Sequence, residues 1–169
     1  NAAHIALVDL EKHGKLAAVI TQNIDGLHQT AGSQNVLELH GSNFKHYCMD
    51  CSEKYTLGYI LESAHCRDEV IPICEKCGGI VRPDVVMYEE QLDNNVLNSA
   101  IRAIGQAELL IVGGTSLNVY PAAGLLDYFT GDNLVLVNKS ATARDEQAEV
   151  VIHEPIGEVM STVMEHGVI

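Results

Sequence analysis

Along the chain, apolar residues form short continuous runs, and between the runs they recur at helical spacing. Ala3, Ala6, Leu7 and Leu10 keep the i, i+3, i+4, i+7 rhythm and predict a helix over 3–13, with Gly14 as its stop. The runs 16–20 and 36–39 read as buried strands, and each ends in a polar cluster. Leu97, Ala100, Ile101 and Ile104 predict a second helix, followed by a strand over 109–112. Pro121 is placed to open a helix over 122–129, and strands follow at 134–137 and 150–152. After Pro155, a last helix carries Ile156, Val159, Met160 and Val163 on one face. Continuous apolar strands alternating with amphipathic helices indicate an α/β fold, a Rossmann-like parallel sheet with helices on both faces.

One stretch breaks this pattern. From Phe44 to Arg82, cysteines, charges and short apolar pieces replace the long core segments, and Val85-Val86-Met87 then returns to strand character. The expected organisation is a first Rossmann-like part over 1–43, an inserted zinc-ribbon module over 44–83, and a second Rossmann-like part over 84–169. No internal repeat or low-complexity segment interrupts it.

Composition narrows the functional classes. The chain has 169 residues and a net charge of −13, from 10 Lys+Arg against 23 Asp+Glu. A binder of phosphate backbones carries a basic patch, so nucleic acid is not expected as a direct partner. No apolar run approaches the roughly 20 residues of a membrane span, and no membrane partner is expected.

The five cysteines are Cys48, Cys51, Cys66, Cys74 and Cys77. Two CxxC turns, Cys48–Cys51 and Cys74–Cys77, each offer two thiolates, and together they complete a tetrahedral zinc set. A full set of four sulfurs leaves no open position, so one structural Zn2+ per chain is expected. Cys66 remains a free thiol, and His46 and His65 have no vacancy to fill. Metal-bound cysteines in a reducing compartment suit a cytoplasmic location.

Strand ends carry the remaining chemistry. In open parallel sheets, ligands bind in the crevice outside the carboxyl ends of strands. Gln22, Asn23 and Asp25 follow the first strand, with amide and carboxylate groups suited to a carboxamide or ribose. His40 follows the second strand and is a base matched to neutral pH. Gly114-Thr115-Ser116 follows the 109–112 strand and suits close approach of a phosphate or ribose. Asn138-Lys139 ends the next strand, where a Rossmann pattern places ribose and adenine contacts.

The string TQNIDGLHQTAG, then ELHGS, then the two CxxC pairs, resembles the sirtuin family of NAD-dependent protein-lysine deacylases, most of all its prokaryotic branches. The resemblance implies NAD as co-substrate and acylated lysine in proteins or peptides as substrate, acetyl in first place. It makes His40 the general base on the nicotinamide ribose, with Asn23 and Asp25 as further catalytic residues. Ile24 and Asp25 would hold the nicotinamide carboxamide, and Gln22 would touch ribose. Gly114, Thr115, Ser116, Asn138, Lys139 and Ile156 would complete the dinucleotide contacts. An acyl-lysine peptide would add as a strand between Val85-Val86-Met87-Tyr88 and Leu117-Asn118-Val119. The family often has Phe-Gly-Glu or Phe-Phe-Gly-Glu where this chain has Met87-Tyr88-Glu89-Glu90.

The family's N-terminal Gly-Ala-Gly-x-Ser segment has no counterpart in these 169 residues. Such a phosphate cradle belongs at a helix N-terminus, so the 169 residues alone are expected to bind NAD poorly. Two other readings keep some of the same residues. One is ADP-ribosyl transfer, which also begins with loss of nicotinamide; the other is a non-catalytic zinc-bearing binding module. Oligomeric state is not encoded in these patterns.

Overall fold

The computed structural model describes residues 1–68 and 70–167; Glu69 within the expected 44–83 module, and Val168 and Ile169 at the end of the expected 84–169 part, lie outside the described residues. In chain order the first elements are α1 (Ala2–Lys12), β1 (Val19–Thr21), α2 (Leu27–Ala31), β2 (Val36–Glu38), β3 (Gly41–Cys48), β4 (Lys54–Thr56) and α3 (Leu57–Leu61). There follow β5 (Cys66–Arg67), β6 (Ile71–Pro72), β7 (Val81–Val85), α4 (Asn94–Gly105), β8 (Leu109–Gly113), β9 (Asn133–Val137), β10 (Val150–Ile152) and α5 (Ile156–Glu165). Backbone contacts divide the chain into two compact units. One comprises Asn1–Ile20, Leu27–Leu37 and the chain from Asp93 onward; the other comprises Thr21–Gly26 and Glu38–Leu92.

The first unit is built on a parallel sheet in the order β10-β9-β8, with Ile111 and Val150 both in register with Val135. Leu134 and Leu136 of β9 are buried with Leu117, Ala123 and Leu126. The apolar stripes expected of α1 and α4 are buried or half-buried, whereas on α5 Met160 is buried and Val163 is exposed. Ala3 and Ala6 of α1 pack with Met160 of α5, and Ala100 and Ile104 are the buried residues of α4. Asp93 caps α4, its carboxylate accepting from the backbone N–H groups of Asn95 and Val96. Glu11 on α1 fastens the turn before β2 by accepting from the N–H groups of Gln34 and Asn35 at 2.9 and 2.8 Å.

Three expected elements shift. The strand expected at 16–20 begins only at Val19, because the N–H groups of Lys15 and Leu16 both turn back to the Leu10 carbonyl. The helix expected over 122–129 is a 3₁₀ helix, Ala122–Tyr128, in which Gly124 N–H reaches Pro121 O at 3.0 Å. Glycine in that turn weakens any preference for the wider α form. The strand expected at 85–87 is instead Val81–Val85; beyond it the backbone is diverted by side-chain hydrogen bonds described below.

The second unit is organised by β3, which pairs antiparallel with β4 on one side and β7 on the other. Its register with β7 shifts between Ser42 and His46, a bulge that leaves Asn43, Phe44 and Lys45 exposed. Cys48, Cys74 and Val81 form its buried centre, with Cys51, Tyr55 and Ile60 packed around them.

Candidate active site and metal centre

In the second unit, backbone hydrogen bonds lay the polar segment 21–26 alongside residues 39–43. Leu39 N–H donates to Thr21 O at 2.9 Å, and Asn43 N–H donates to Ile24 O at 3.0 Å. Thr21 Oγ1 accepts from Asn23 N–H at 3.1 Å, so the segment turns on its own side chain. Gln22 and Ile24 are half-buried, whereas Asn23 and Asp25 are exposed.

His40 sits between β2 and β3, half-buried, with Nδ1 2.9 Å from the carbonyl oxygen of Gln22. A carbonyl only accepts, so Nδ1 carries the hydrogen and the lone pair resides on Nε2. The ring is therefore held in the tautomer that a general base requires. The next residue is constrained as tightly. Gly41 has φ +77°, and a Cβ there would collide with the carbonyl oxygen of Asp84. Gly41→Ala is expected to destabilise the fold by about 2–4 kcal/mol, left-handed strain and the clash adding together. Urea unfolding of the variant measures this, and an unchanged midpoint would contradict the argument.

Two ionisable groups near this segment are buried. Glu38, two residues before His40, is buried and paired with Lys45 at 2.9 Å. His46 is buried across from Tyr55 on β4, its Nδ1 has no hydrogen-bond partner, and burial lowers its pKa from the ordinary value, favouring the neutral ring. It shares its parity with the buried Ser42 and Cys48, so alternation along β3 itself places it inward.

The four cysteines of the CxxC turns converge. Their sulfurs all lie within 4.8 Å of one another, with Cys48–Cys77 at 3.5 Å and Cys51–Cys74 at 3.6 Å. Sulfurs about 2.3 Å from a tetrahedral Zn2+ stand roughly 3.8 Å apart, so the cluster fits one zinc ion. Hydrogen bonds support the sulfurs from outside: Tyr55 Oη donates to Cys74 Sγ at 3.0 Å and Asp50 N–H to Cys48 Sγ at 3.4 Å. Cys66 lies apart, its Sγ 3.9 Å from the carbonyl of Ile60 and 3.8 Å from that of Glu62.

In the first unit, Gly114, Asn138, Lys139 and Ile156 line one open cleft of about 800 Å³, together with the N-terminal turn of α5. Gly114 has φ +65°, and its N–H donates to Val137 O at 3.0 Å, binding the end of β8 to the end of β9. Gly113 has no room for a side chain because Ile156 lies against it. Asn138 is held by its N–H to Ile152 O and by its side-chain amide to Ser140 O. Thr115 and Ser116 do not line the cleft; Thr115 Oγ1 instead accepts from Leu117 N–H at 3.2 Å.

Of the residues assigned to peptide, Val85 and Val86 are half-buried, and Met87 and Tyr88 are exposed, Tyr88 at 98%. Asn118 and Val119 are exposed as well, but the Leu117 side chain belongs to the buried core, so any contact it makes outward is through its backbone.

Comparison with known proteins decides the family. The model of the Sir2 family matches residues 1–121. The chain belongs to the Sir2 family. Among Sir2-type relatives, an NAD-dependent protein deacetylase of Clostridium acetobutylicum is 57% identical over 97% of this chain and 65% of its own length. One of Clostridium perfringens is 58% identical over 98% of this chain and 66% of its own. The chain thus spans just under two thirds of the curated relatives it matches. Among solved structures, a Sir2 bound to acetylated peptide superposes with a TM-score of 0.93 at 41% identity, over 99% of this chain and 70% of that one. A Sir2 with p53 peptide and NAD+ gives 0.91 at the same identity and coverage. The Sir2 fold joins a Rossmann-like α/β part to the four-cysteine module. No helix among the described residues is long and apolar enough to cross a membrane.

Proposed function

We propose that the protein removes acyl groups, acetyl foremost, from protein lysines in an NAD-dependent reaction that gives nicotinamide, O-acyl-ADP-ribose and free lysine. The observation that carries this reading is the locked tautomer of His40, which presents Nε2 as a base within the sequence ELHGS. NAD supplies an activated nicotinamide ribose. His40 takes a proton from the ribose hydroxyls; Asn23 and Asp25 are its catalytic companions. Gln22, Ile24 and Asp25 hold the nicotinamide end, and Gly114, Thr115, Ser116, Asn138, Lys139 and Ile156 hold the rest of the dinucleotide. The acyl-lysine peptide pairs along Val85, Val86, Met87 and Tyr88 and along Leu117, Asn118 and Val119. The zinc bound by Cys48, Cys51, Cys74 and Cys77 is structural. The reduced cysteine set suits the cytoplasm.

Relatives and solved neighbours support the reading: the curated relatives are named NAD-dependent protein deacetylases, and one solved neighbour is a complex with 2′-O-acetyl-ADP-ribose and deacetylated p53 peptide. The test is mass spectrometry on an acetyl-lysine peptide incubated with the intact enzyme, with and without NAD. Loss of the acetyl mass only with NAD, together with O-acetyl-ADP-ribose, is the expected outcome. An ADP-ribose mass added to a protein would instead establish the transferase reading. Silence across an acyl panel, with no nicotinamide released, would leave a binding module.

A further inference from the structure

The segment after β7 should continue as a strand by its composition, yet it does not. Val86 N–H still donates to His40 O at 3.0 Å, as a ladder bond would, but Met87 N–H turns to the Glu90 carboxylate at 2.8 Å. Glu90 in turn grips Arg82 with both oxygens, at 2.7 Å to Nη1 and 3.1 Å to Nη2. Arg82 Nη2 also donates to Val85 O at 2.8 Å, and Glu90 N–H closes the turn on Met87 O at 3.1 Å. Two side chains thus satisfy the Val85 carbonyl and the Met87 N–H, two groups a longer β7 would have offered to a neighbour. The guanidinium lies 5.9 Å from the centre of the Tyr47 ring. Glu89 completes the turn at φ +70°.

Magnitudes decide what this arrangement is for. The Arg82 and Glu90 side chains are 21% and 41% exposed, and an ion pair in that setting adds about 0–1 kcal/mol to stability. Its geometric consequence is larger: a two-pronged clamp fixes where residues 85–88 project. Met87 and Tyr88, within the turn the clamp closes, project outward, 57% and 98% exposed.

We propose that Arg82 and Glu90 are positioning residues that shape the 85–88 edge for the acyl-lysine peptide. The proposal rests on the deacylase reading. Neither side chain touches the reacting atoms; both act by occupying the Val85 carbonyl and the Met87 N–H, so that the peptide meets this segment at Tyr88 and the outward Met87 side chain. Arg82, and next the Met87 N–H, hold the Glu90 carboxyl below the usual carboxylate range. The clamp is therefore charged at neutral pH and is lost only as pH falls through that depressed value.

The test is steady-state kinetics of the intact enzyme and of Arg82→Ala, Glu90→Ala and Glu90→Gln, with peptide and NAD varied separately. The expected result is a peptide KM raised about tenfold in the alanine variants and about threefold in Glu90→Gln, with kcat and the KM for NAD within about twofold. Zinc content and thermal midpoint should match the unsubstituted enzyme. A peptide KM unchanged in an active enzyme overturns the positioning role and leaves the deacylase reading standing. Losses of kcat together with zinc or thermal midpoint also overturn it, since they mark a purely structural pair. If Arg82→Ala does not fold, Glu90→Gln, which keeps size and an acceptor oxygen, decides alone by the same KM criterion. An unsubstituted enzyme inactive on every acyl peptide defeats the deacylase reading itself, and the positioning proposal with it.

Discussion

His40→Ala lowers the deacylation rate of the intact enzyme by about 10²–10⁴-fold, the range that a positioned general base supplies. Geometry comes before acidity here. A ring bonded through Nδ1 to the Gln22 carbonyl leaves Nε2, in the neutral form, as the nitrogen with a free lone pair. His40→Gln is the sharper companion variant: its amide can still donate to Gln22 O but cannot take up a proton, so it should be nearly as slow. Both variants should keep their zinc and their thermal midpoint, because His40 is half-buried and outside the metal cluster. Single-turnover rates of acyl transfer read the effect directly. A loss of less than about tenfold in His40→Ala would remove His40 from the role of base.

The second large effect concerns the metal. Replacing Cys74 with serine, or stripping zinc with a chelator, should unfold the unit that contains β3, β4 and β7. Structural zinc contributes about 10–16 kcal/mol of apparent binding free energy in small zinc folds. A whole domain is stable by only about 5–15 kcal/mol. Cys48 and Cys74 are fully buried at the centre of this unit, so without the ion two buried thiols crowd two neighbouring ones with no metal to tie them together. The intact protein should carry one zinc per chain by atomic absorption. Cys66→Ser should leave that ratio unchanged, since Cys66 stands outside the cluster. Full zinc retention by Cys74→Ser, with an unaltered melting curve, would contradict this account of the core.

How much of this is legible in the sequence depends on the range of the interactions involved. The buried faces of α1 and α4 follow from apolar spacing, because a helix repeats its environment every few residues. The cysteine cluster follows from two local turns whose chemistry permits few other uses. Glycine, asparagine and lysine at the ends of β8 and β9 lie on one cleft because parallel strands bring their carboxyl ends together. What spacing does not show is any contact set by register or by side-chain reach. The pairing of Glu38 with Lys45 and the bulge of β3 against β7 are two such contacts, which no alternation in 41–48 announces. The delayed start of β1 comes from two N–H groups captured by the end of α1. The early end of β7 comes from an arginine and a glutamate eight residues apart, a distance with no meaning in either helix or strand. Tyr55, whose hydroxyl supports Cys74, carries no signal of its own, since a tyrosine on a short strand is ordinary packing.

The left-handed Glu89 also has a consequence for the chain before it folds. A side chain in that region costs about 1–2 kcal/mol in the native state. Glycine would avoid the cost, but it would also widen the set of shapes open to the unfolded segment, a loss of about 0.4–1 kcal/mol on ordering. The second offsets roughly half of the first. The turn between Met87 and Glu90 is thus restrained partly by what the denatured ensemble is denied, and its stiffness is written in the disordered chain as well as in the contacts of the finished one.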